Sequence, residues 1–522
     1  MTQVEGSIGE TFGRLSSGCE TSAARSAPMV APGVLSVYTR LLDGFARERV
    51  AWCYWKCSRR AAVALAGETD LDILVGAADQ AAARRVLSEC GFRPFPAVAA
   101  RADPCVECYL TLDEPSGRIA HVDLHTGLTL GGALLKTHRV PWEESLIRRA
   151  SAPGGARLPL LDPASEAVLL VVRSCLEMRR SDPVAAWNWS ATTEKFALDR
   201  AYLASLVEPE AIRTRAAELL DDRIAAPLAD AMYDPRPLQR QRKLRRRVRR
   251  ALARYRMHGS LHGWARSAWR SGCAVAGKIN RHALHWPRPW NRRVCGAGVV
   301  IAVVAVDGAG KSTLVRAIRG WLGQEVDVLP LYFGTGDGRP SWFLLPLKLM
   351  VPLVSVLLRR KPRGSSHGTV SDSAPGLVYS VLLAVWAGVL AIEKRTKLRA
   401  ARRAAAHGMV VITDRFPQNE ILEYNDGPLL PRLRHVPGWL RRFEASAYAL
   451  AQALRPDLVI ELLASPELIA SREPTMDPAL IRSRVAALAQ LRLGGAPIAA
   501  ISAALPAAEV LRAAKLQIWR AL

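Results

Sequence analysis

The run Val306-Asp307-Gly308-Ala309-Gly310-Lys311-Ser312-Thr313 combines the residue types that a triphosphate cradle needs. Glycines let backbone N–H groups approach phosphate oxygens, and a helix starting at Lys311 adds the positive potential of its N-terminus. In such a loop Lys311 reaches the β- and γ-phosphates and Ser312 ligates Mg²⁺, while Gly308, Ala309, Gly310 and Thr313 complete the lining of an ATP site. Ala305 stands where the usual motif begins with glycine, and the turn tolerates it if φ there is negative.

More chemistry follows downstream. Met409 to Thr413 is an apolar run ending in Asp414-Arg415-Phe416. A carboxylate at a strand's C-terminal edge holds Mg²⁺ or its waters, and the neighbouring guanidinium grips a transferring or accepting phosphate. Asp307 is placed to orient or deprotonate an acceptor. Arg472, with Arg482 and Arg484 beyond it, suits a lid that brings guanidinium groups onto the triphosphate.

A separate set lies near the N-terminus. Asp70 and Asp72 in Gly67-Glu68-Thr69-Asp70-Leu71-Asp72 are spaced to leave one face of a strand, and Asp123 sits between two histidines in His121-Val122-Asp123-Leu124-His125. Three carboxylates from adjacent strands have the composition to hold two Mg²⁺ ions around a triphosphate. Lys56 is a candidate phosphate contact. Cys105 and Cys108 form one CxxC, which reads as incidental thiols because zinc needs four ligands, usually from two such knuckles.

These residues need elements to position them. Val299 to Val306 is a continuous valine-rich run, the mark of a parallel strand buried on both faces, and Leu314, Val315, Ile318 and Leu322 continue at helical spacing. Leu458 to Leu462 is another buried strand, followed by Ser465-Pro466-Glu467 at a helix start. Short apolar runs at Leu71 to Val75 and His121 to Leu124 alternate with amphipathic helices, and about 162–232 reads as all helix. The expected class is α/β multidomain: a tail at 1–33, an α/β domain at 34–150, a helical companion at 151–235, a basic Trp-containing linker at 236–296, and a parallel-sheet domain at 297–522 with an apolar insertion at 340–392.

The chain has 522 residues, half of them apolar, which suits several packed cores. Its net charge of +25 is localised: residues 236–293 hold 18 Lys or Arg and no Asp or Glu, leaving +7 elsewhere. Trp264, Trp269, Trp286 and Trp290 follow the arginines, a combination that suits an anionic membrane surface, a nucleic acid or an acidic partner. The first expectation is a solvated linker helix packing its Trp residues onto one domain, ahead of a membrane surface, with nucleic acid last. Ser373 to Ile392 holds no charge for twenty residues, but a single crossing there would separate the phosphate loop from Asp414. A core helix at 377–400 is expected instead. Nine scattered cysteines and the lack of a leader-like start point to a reducing cytoplasmic setting, with any membrane contact peripheral.

The DGAGKST loop, Val411-Ile412-Thr413-Asp414-Arg415-Phe416, and Pro456-Asp457-Leu458-Val459-Ile460 running into Ser465-Pro466-Glu467 resemble the thymidylate kinase family of P-loop kinases over about 297–522. The resemblance implies ATP and Mg²⁺ as the donor pair and an acceptor, such as a nucleoside monophosphate, facing Asp307 and Arg415. The family places an acceptor-phosphate Arg on the helix before the Asp-Arg strand; here Glu393 holds that place, beside Lys394 and Arg395. Residues 35–235 resemble the nucleotidyltransferase superfamily, in particular its bacterial members with helical companion domains. That family's Gly-Ser turn is replaced by Lys56-Cys57-Ser58. The whole arrangement resembles proteins associated with bacterial cell-surface polysaccharide production.

Three functions follow as expectations. The first is an ATP-dependent phosphotransferase in which Lys311, Asp307, Asp414, Arg415 and Arg472 act. The second is a nucleotidyltransferase modifying a sugar, lipid or protein, with the kinase fold sensing ATP. The third is a non-catalytic, ATP-gated, membrane-peripheral assembly factor. Oligomeric state is not encoded in any of these features.

Overall fold

Alternation along the first strands sets a sheet with one apolar face and one chemical face. A computed structural model describes residues 33–132, 134–152, 158–177, 189–334, 377–421, 427–432 and 436–522. Strands β1 (Trp52–Tyr54), β2 (Leu71–Val75), β3 (Arg93–Pro94), β4 (Val106–Asp113) and β5 (Arg118–His125) form a sheet in the order β1-β2-β5-β4-β3. β2 and β5 are parallel; the other pairs are antiparallel. Ala120, Val122 and Leu124 of β5 pack with Val37, Leu41, Val86 and Leu87 from the helices Ser36–Arg47 and Gln80–Glu89. His121, Asp123 and His125 therefore project from the opposite face, because a strand's side chains alternate.

A hairpin of β6 (Leu128–Gly131) and β7 (Lys136–Val140) leads to helices Pro163–Glu177, Trp189–Ala204, Pro209–Leu219 and Asp222–Tyr233. Pro163–Glu177 is buried nearly all round, Ser165, Glu166 and Ser174 included, and is the spine of this bundle. The basic helix Arg242–Ala251 joins the same core through Leu244 and Val248, so the segment expected as a linker is folded onto the helical unit.

The C-terminal sheet contains β8 (Val300–Ala305), β9 (Val328–Tyr332), β10 (Val410–Asp414), β11 (Leu458–Leu463) and β12 (Ile498–Ser502). Its order is β12-β11-β8-β10-β9, and every pairing is parallel. β8 is buried throughout. Ile301, Val303 and Ala305 pack toward the helices Lys311–Leu322 and Ala507–Ala521, and Val300, Ala302 and Val304 toward Leu377–Ala406 on the other face. Helices on both faces explain why this strand needs an unbroken apolar run. The protein is thus an α/β multidomain molecule whose second sheet is parallel and flanked by helices.

The two sheets share a core. Phe95, Cys108, Leu110 and Leu112 belong to the same cluster as Ile301, Ile318 and Trp519. Phe95 stacks on Trp519 with ring centroids 5.9 Å apart, and Lys515 Nζ donates to the Gly117 carbonyl at 2.9 Å. The face of the first sheet that bears His121 and Asp123 is the face turned to the second domain.

No helix among the described residues is long and apolar enough to cross a membrane. The stretch expected as a core helix lies in Leu377–Ala406, whose Leu390, Ala391, Leu398 and Ala401 are buried. Most of the expected insertion, 340–376, lies outside the described residues, as does the N-terminal tail up to residue 32.

Candidate functional site

In this topology β8 is flanked by β10 and β11, and the crevice at the C-terminal ends of these strands is where an open parallel sheet binds ligands. Gly308 and Gly310 occupy it with φ of +86° and +96°. Both angles favour glycine, and at Gly308 an added Cβ would lie 2.7 Å from Glu473 Cγ. Ala305 is the last residue of extended β8 and is not among the positive-φ residues, so its methyl is accommodated. The helix Lys311–Leu322 begins directly at the loop.

Asp307 is the hub of the loop. Arg415 Nη2 donates to it at 2.9 Å and Arg484 Nη1 at 3.1 Å, and Lys311 Nζ lies 3.6 Å away. Arg415 takes φ of +67°, an unfavourable angle for a side chain with a Cβ, directly after β10. Arg472 reaches the Gly308 carbonyl at 3.5 Å and that of Ala503 at 3.2 Å, so it bridges the loop to the C-terminal strand. Arg482 is exposed, whereas Arg484 is buried against the loop. Of the three lid arginines, 472 and 484 are at the loop.

The Ser312 hydroxyl donates to Asp414 Oδ2 at 3.3 Å. Asp414 is buried, its Oδ1 makes no hydrogen bond, and Lys311 Nζ is 3.7 Å from it. An orphaned carboxylate oxygen beside a hydroxyl and a triphosphate loop fits a divalent cation. Ser312 and Asp414 are the residues that would hold Mg²⁺. Thr313 is exposed at the start of the helix.

At the position where the resemblance implied an arginine, Glu393 pairs with Lys397 at 2.6 Å, and Lys397 Nζ donates to the Tyr332 carbonyl at 2.6 Å. Tyr332 ends β9 and is the register partner of Asp414. Lys394 is turned away to the Tyr448 hydroxyl, and Arg395 to Ser446. Lys397, one turn after Glu393, therefore reaches the end of β9.

The N-terminal carboxylates converge as well. Asp72 and Asp123 are Cα partners across β2 and β5. Asp72 Oδ1 lies 3.0 Å from His125 Nε2 and 3.4 Å from Lys56 Nζ. His121 Nε2 is 3.0 Å from Asp123 Oδ1 and 3.1 Å from Cys108 Sγ, and its Nδ1 is 2.8 Å from Asp70 and 3.1 Å from Glu325. Burial opposes charge on His121, but Asp123, Asp70 and Glu325 hold its pKa well above the usual histidine range. Burial raises the Asp72 carboxyl, and Lys56 and His125 outweigh it and keep its pKa low. Burial likewise lowers the Lys56 pKa. Each of these carboxylates thus has a side-chain base or cation of the protein beside it. Ser58 is turned away, its N–H donating to Glu166 at 2.7 Å.

Sequence reasoning did not find Glu325 or Arg292. Arg292 pairs with Glu325 at 3.1 Å, joining the end of the basic segment to the P-loop domain. Cys108 carried a weak signal as half of a CxxC, but its partner in space is His121 and not Cys105; Cys108, His121 and Asp123 offer ligand atoms within 4.8 Å of one another.

Among curated proteins, YghR of Escherichia coli strain K12, an uncharacterized ATP-binding protein, is 31% identical over 222 residues, 41% of this chain and 85% of YghR. This chain belongs to the YghR family of ATP-binding proteins. YghS of the same strain, also an uncharacterized ATP-binding protein, is 29% identical over 228 residues, 43% of this chain and 93% of YghS. The greater part of the chain thus lies outside these family matches, and no family model matches it. Membership agrees with the loop geometry: the chain carries an ATP-binding domain.

Proposed function

We propose that the C-terminal domain is an Mg²⁺-dependent phosphotransferase of the thymidylate kinase type, using ATP as donor. The observation that carries this reading is the clustering of Lys311, Arg415 and Arg484 around Asp307, next to the Ser312–Asp414 pair. A loop that only held nucleotide would need the glycines and Lys311. Two further guanidinium groups at its mouth serve a step in which charge spreads over a transferring phosphoryl group. Mg²⁺, when bound, neutralises phosphate charge.

Lys311 and the loop N–H groups hold the β- and γ-phosphates. Arg415 and Arg484 leave Asp307 for the phosphoryl oxygens as ATP enters, which frees the Asp307 carboxylate to orient the acceptor or, where the acceptor is a hydroxyl, to take its proton. Arg472 holds the loop backbone from the Gly308 carbonyl and acts as a positioning residue. Lys397 faces the acceptor side in place of the arginine missing at position 393. Nucleoside monophosphates are the first acceptors to try, because a phosphate suits that lysine.

The test is incubation with γ-labelled ATP and a panel of nucleoside monophosphates, sugars and polyprenol acceptors, using wild type and Lys311→Ala. Label transfer that depends on Lys311 and Mg²⁺ supports the reading. Tight ATP binding without transfer to any acceptor overturns it in favour of an ATP-sensing role.

A further inference from the structure

The helix Ser260–Ile279 has two opposed faces. Arg270, Ser271, Ala274 and Gly277 are buried. Arg270 donates to the carbonyls of Ala102 and Leu134 and pairs with Asp103 at 3.2 Å, and Gly277 lies against Trp290. That face is pinned to the N-terminal domain. The other face repeats at three- and four-residue steps through Leu261, Trp264, Ala268, Gly272, Val275 and Ile279, all exposed. Leu261 is 85% and Trp264 73% exposed, and they lie on one contiguous stripe rather than singly. Trp269, Leu284 and Trp286 are exposed nearby.

The segment that carries this stripe has charge of one sign. Residues 236–293 contain no Asp or Glu, and the preceding helix exposes Arg242, Lys243, Arg246, Arg247 and Arg250. A second copy of the chain would bring two such basic segments together, which repulsion disfavours. A nucleic acid would use the arginines and could stack on Trp264, but it gives no role to Leu261, Val275 and Ile279. An anionic bilayer uses both: aliphatic and indole groups enter the boundary between headgroups and acyl chains, and arginines meet the lipid phosphates.

We infer that the exposed face of Ser260–Ile279 lies flat on an anionic lipid surface and docks the protein there. Because its inner face is welded to the N-terminal domain, the helix rests in the plane of the membrane and does not cross it. Docking holds the phosphate loop at a membrane, where a lipid-linked acceptor would be concentrated; that last point alone rests on the phosphotransferase reading.

The experiment is flotation of the full-length protein with vesicles of phosphatidylglycerol and phosphatidylcholine, or of phosphatidylcholine alone, at low and high salt. Wild type should float only with the anionic vesicles, and salt should weaken the binding. The triple substitution Trp264→Ser, Val275→Ser and Ile279→Ser should reduce partitioning at least about tenfold while leaving the thermal midpoint unchanged. Quenching of tryptophan emission by brominated acyl chains should be lost in the same variant. Absence of binding at low salt overturns the inference. So does equal binding by the triple variant, or preferential capture of a single-stranded RNA probe. A dimer in solution that the triple substitution dissociates would assign the stripe to a second copy.

Discussion

Glu325, three residues beyond the helix that begins at the phosphate loop, lies 3.1 Å from Nδ1 of His121 on β5. One helix therefore has the ATP loop at its head and a half-buried ion pair with the other domain just past its tail. Arg292 meets the same Glu325 carboxylate at 3.1 Å. Burial raises the Glu325 pKa and His121 and Arg292 outweigh it, so the carboxylate is ionised in the folded protein.

Glu325→Gln removes the charge that His121 and Arg292 share. It should lower unfolding free energy by about 1–3 kcal/mol, measured by urea titration at neutral pH. A change inside about 0.5 kcal/mol, the range of an ordinary surface substitution, would show that the pair contributes nothing to domain docking.

Trp519→Ala removes the partner of Phe95 at the junction of the two sheets. A loss of about 3–5 kcal/mol is expected from the cavity. Tertiary signals from both domains should shift together, since Leu110 and Ile301 share one core. Loss of signal from the C-terminal domain alone would mean the domains unfold separately.

Gly308→Ala meets two obstacles, the φ of +86° and Glu473 Cγ at 2.7 Å. Together they should cost about 1–3 kcal/mol and weaken ATP binding, read by calorimetry. Adding Glu473→Ala should recover only the steric part. Full recovery would mean that backbone conformation at this position is unimportant.

Lys311→Ala and Lys397→Ala separate donor from acceptor. The first should weaken ATP binding by about 10- to 100-fold, the value of a charge-assisted contact. The second should leave ATP binding unchanged and raise the acceptor KM by at least about tenfold. An unchanged acceptor KM would remove Lys397 from the acceptor side.

Asp72→Asn with Asp123→Asn tests the first sheet as a second catalytic centre. If Lys56, His121 and His125 are the permanent partners of these carboxylates, nucleotide transfer from labelled triphosphates should be absent in wild type and variant alike. Transfer by wild type that the double substitution abolishes would establish the nucleotidyltransferase reading.

The sequence by itself determined the strands at Leu71, His121, Val299, Met409 and Leu458 and the glycine loop between Val306 and Thr313, because those signals are local. A valine run buried on both faces, two glycines with positive φ, and Lys311 and Ser312 at a helix start lie within about a dozen residues, and each has its own steric or electrostatic cause. The pairing of Asp72 with Asp123 was half legible: strand alternation gave the face, and register gave the neighbour. Tertiary structure alone decided what surrounds them. Arg484 reaches Asp307 across 177 residues, and Glu325 reaches His121 from another domain; no periodicity encodes such contacts, since they depend on how finished elements pack. The same holds for the basic segment. Its arginines were plain in the sequence, but only packing of Arg270 and Gly277 inward left Leu261, Trp264, Val275 and Ile279 together on the outside.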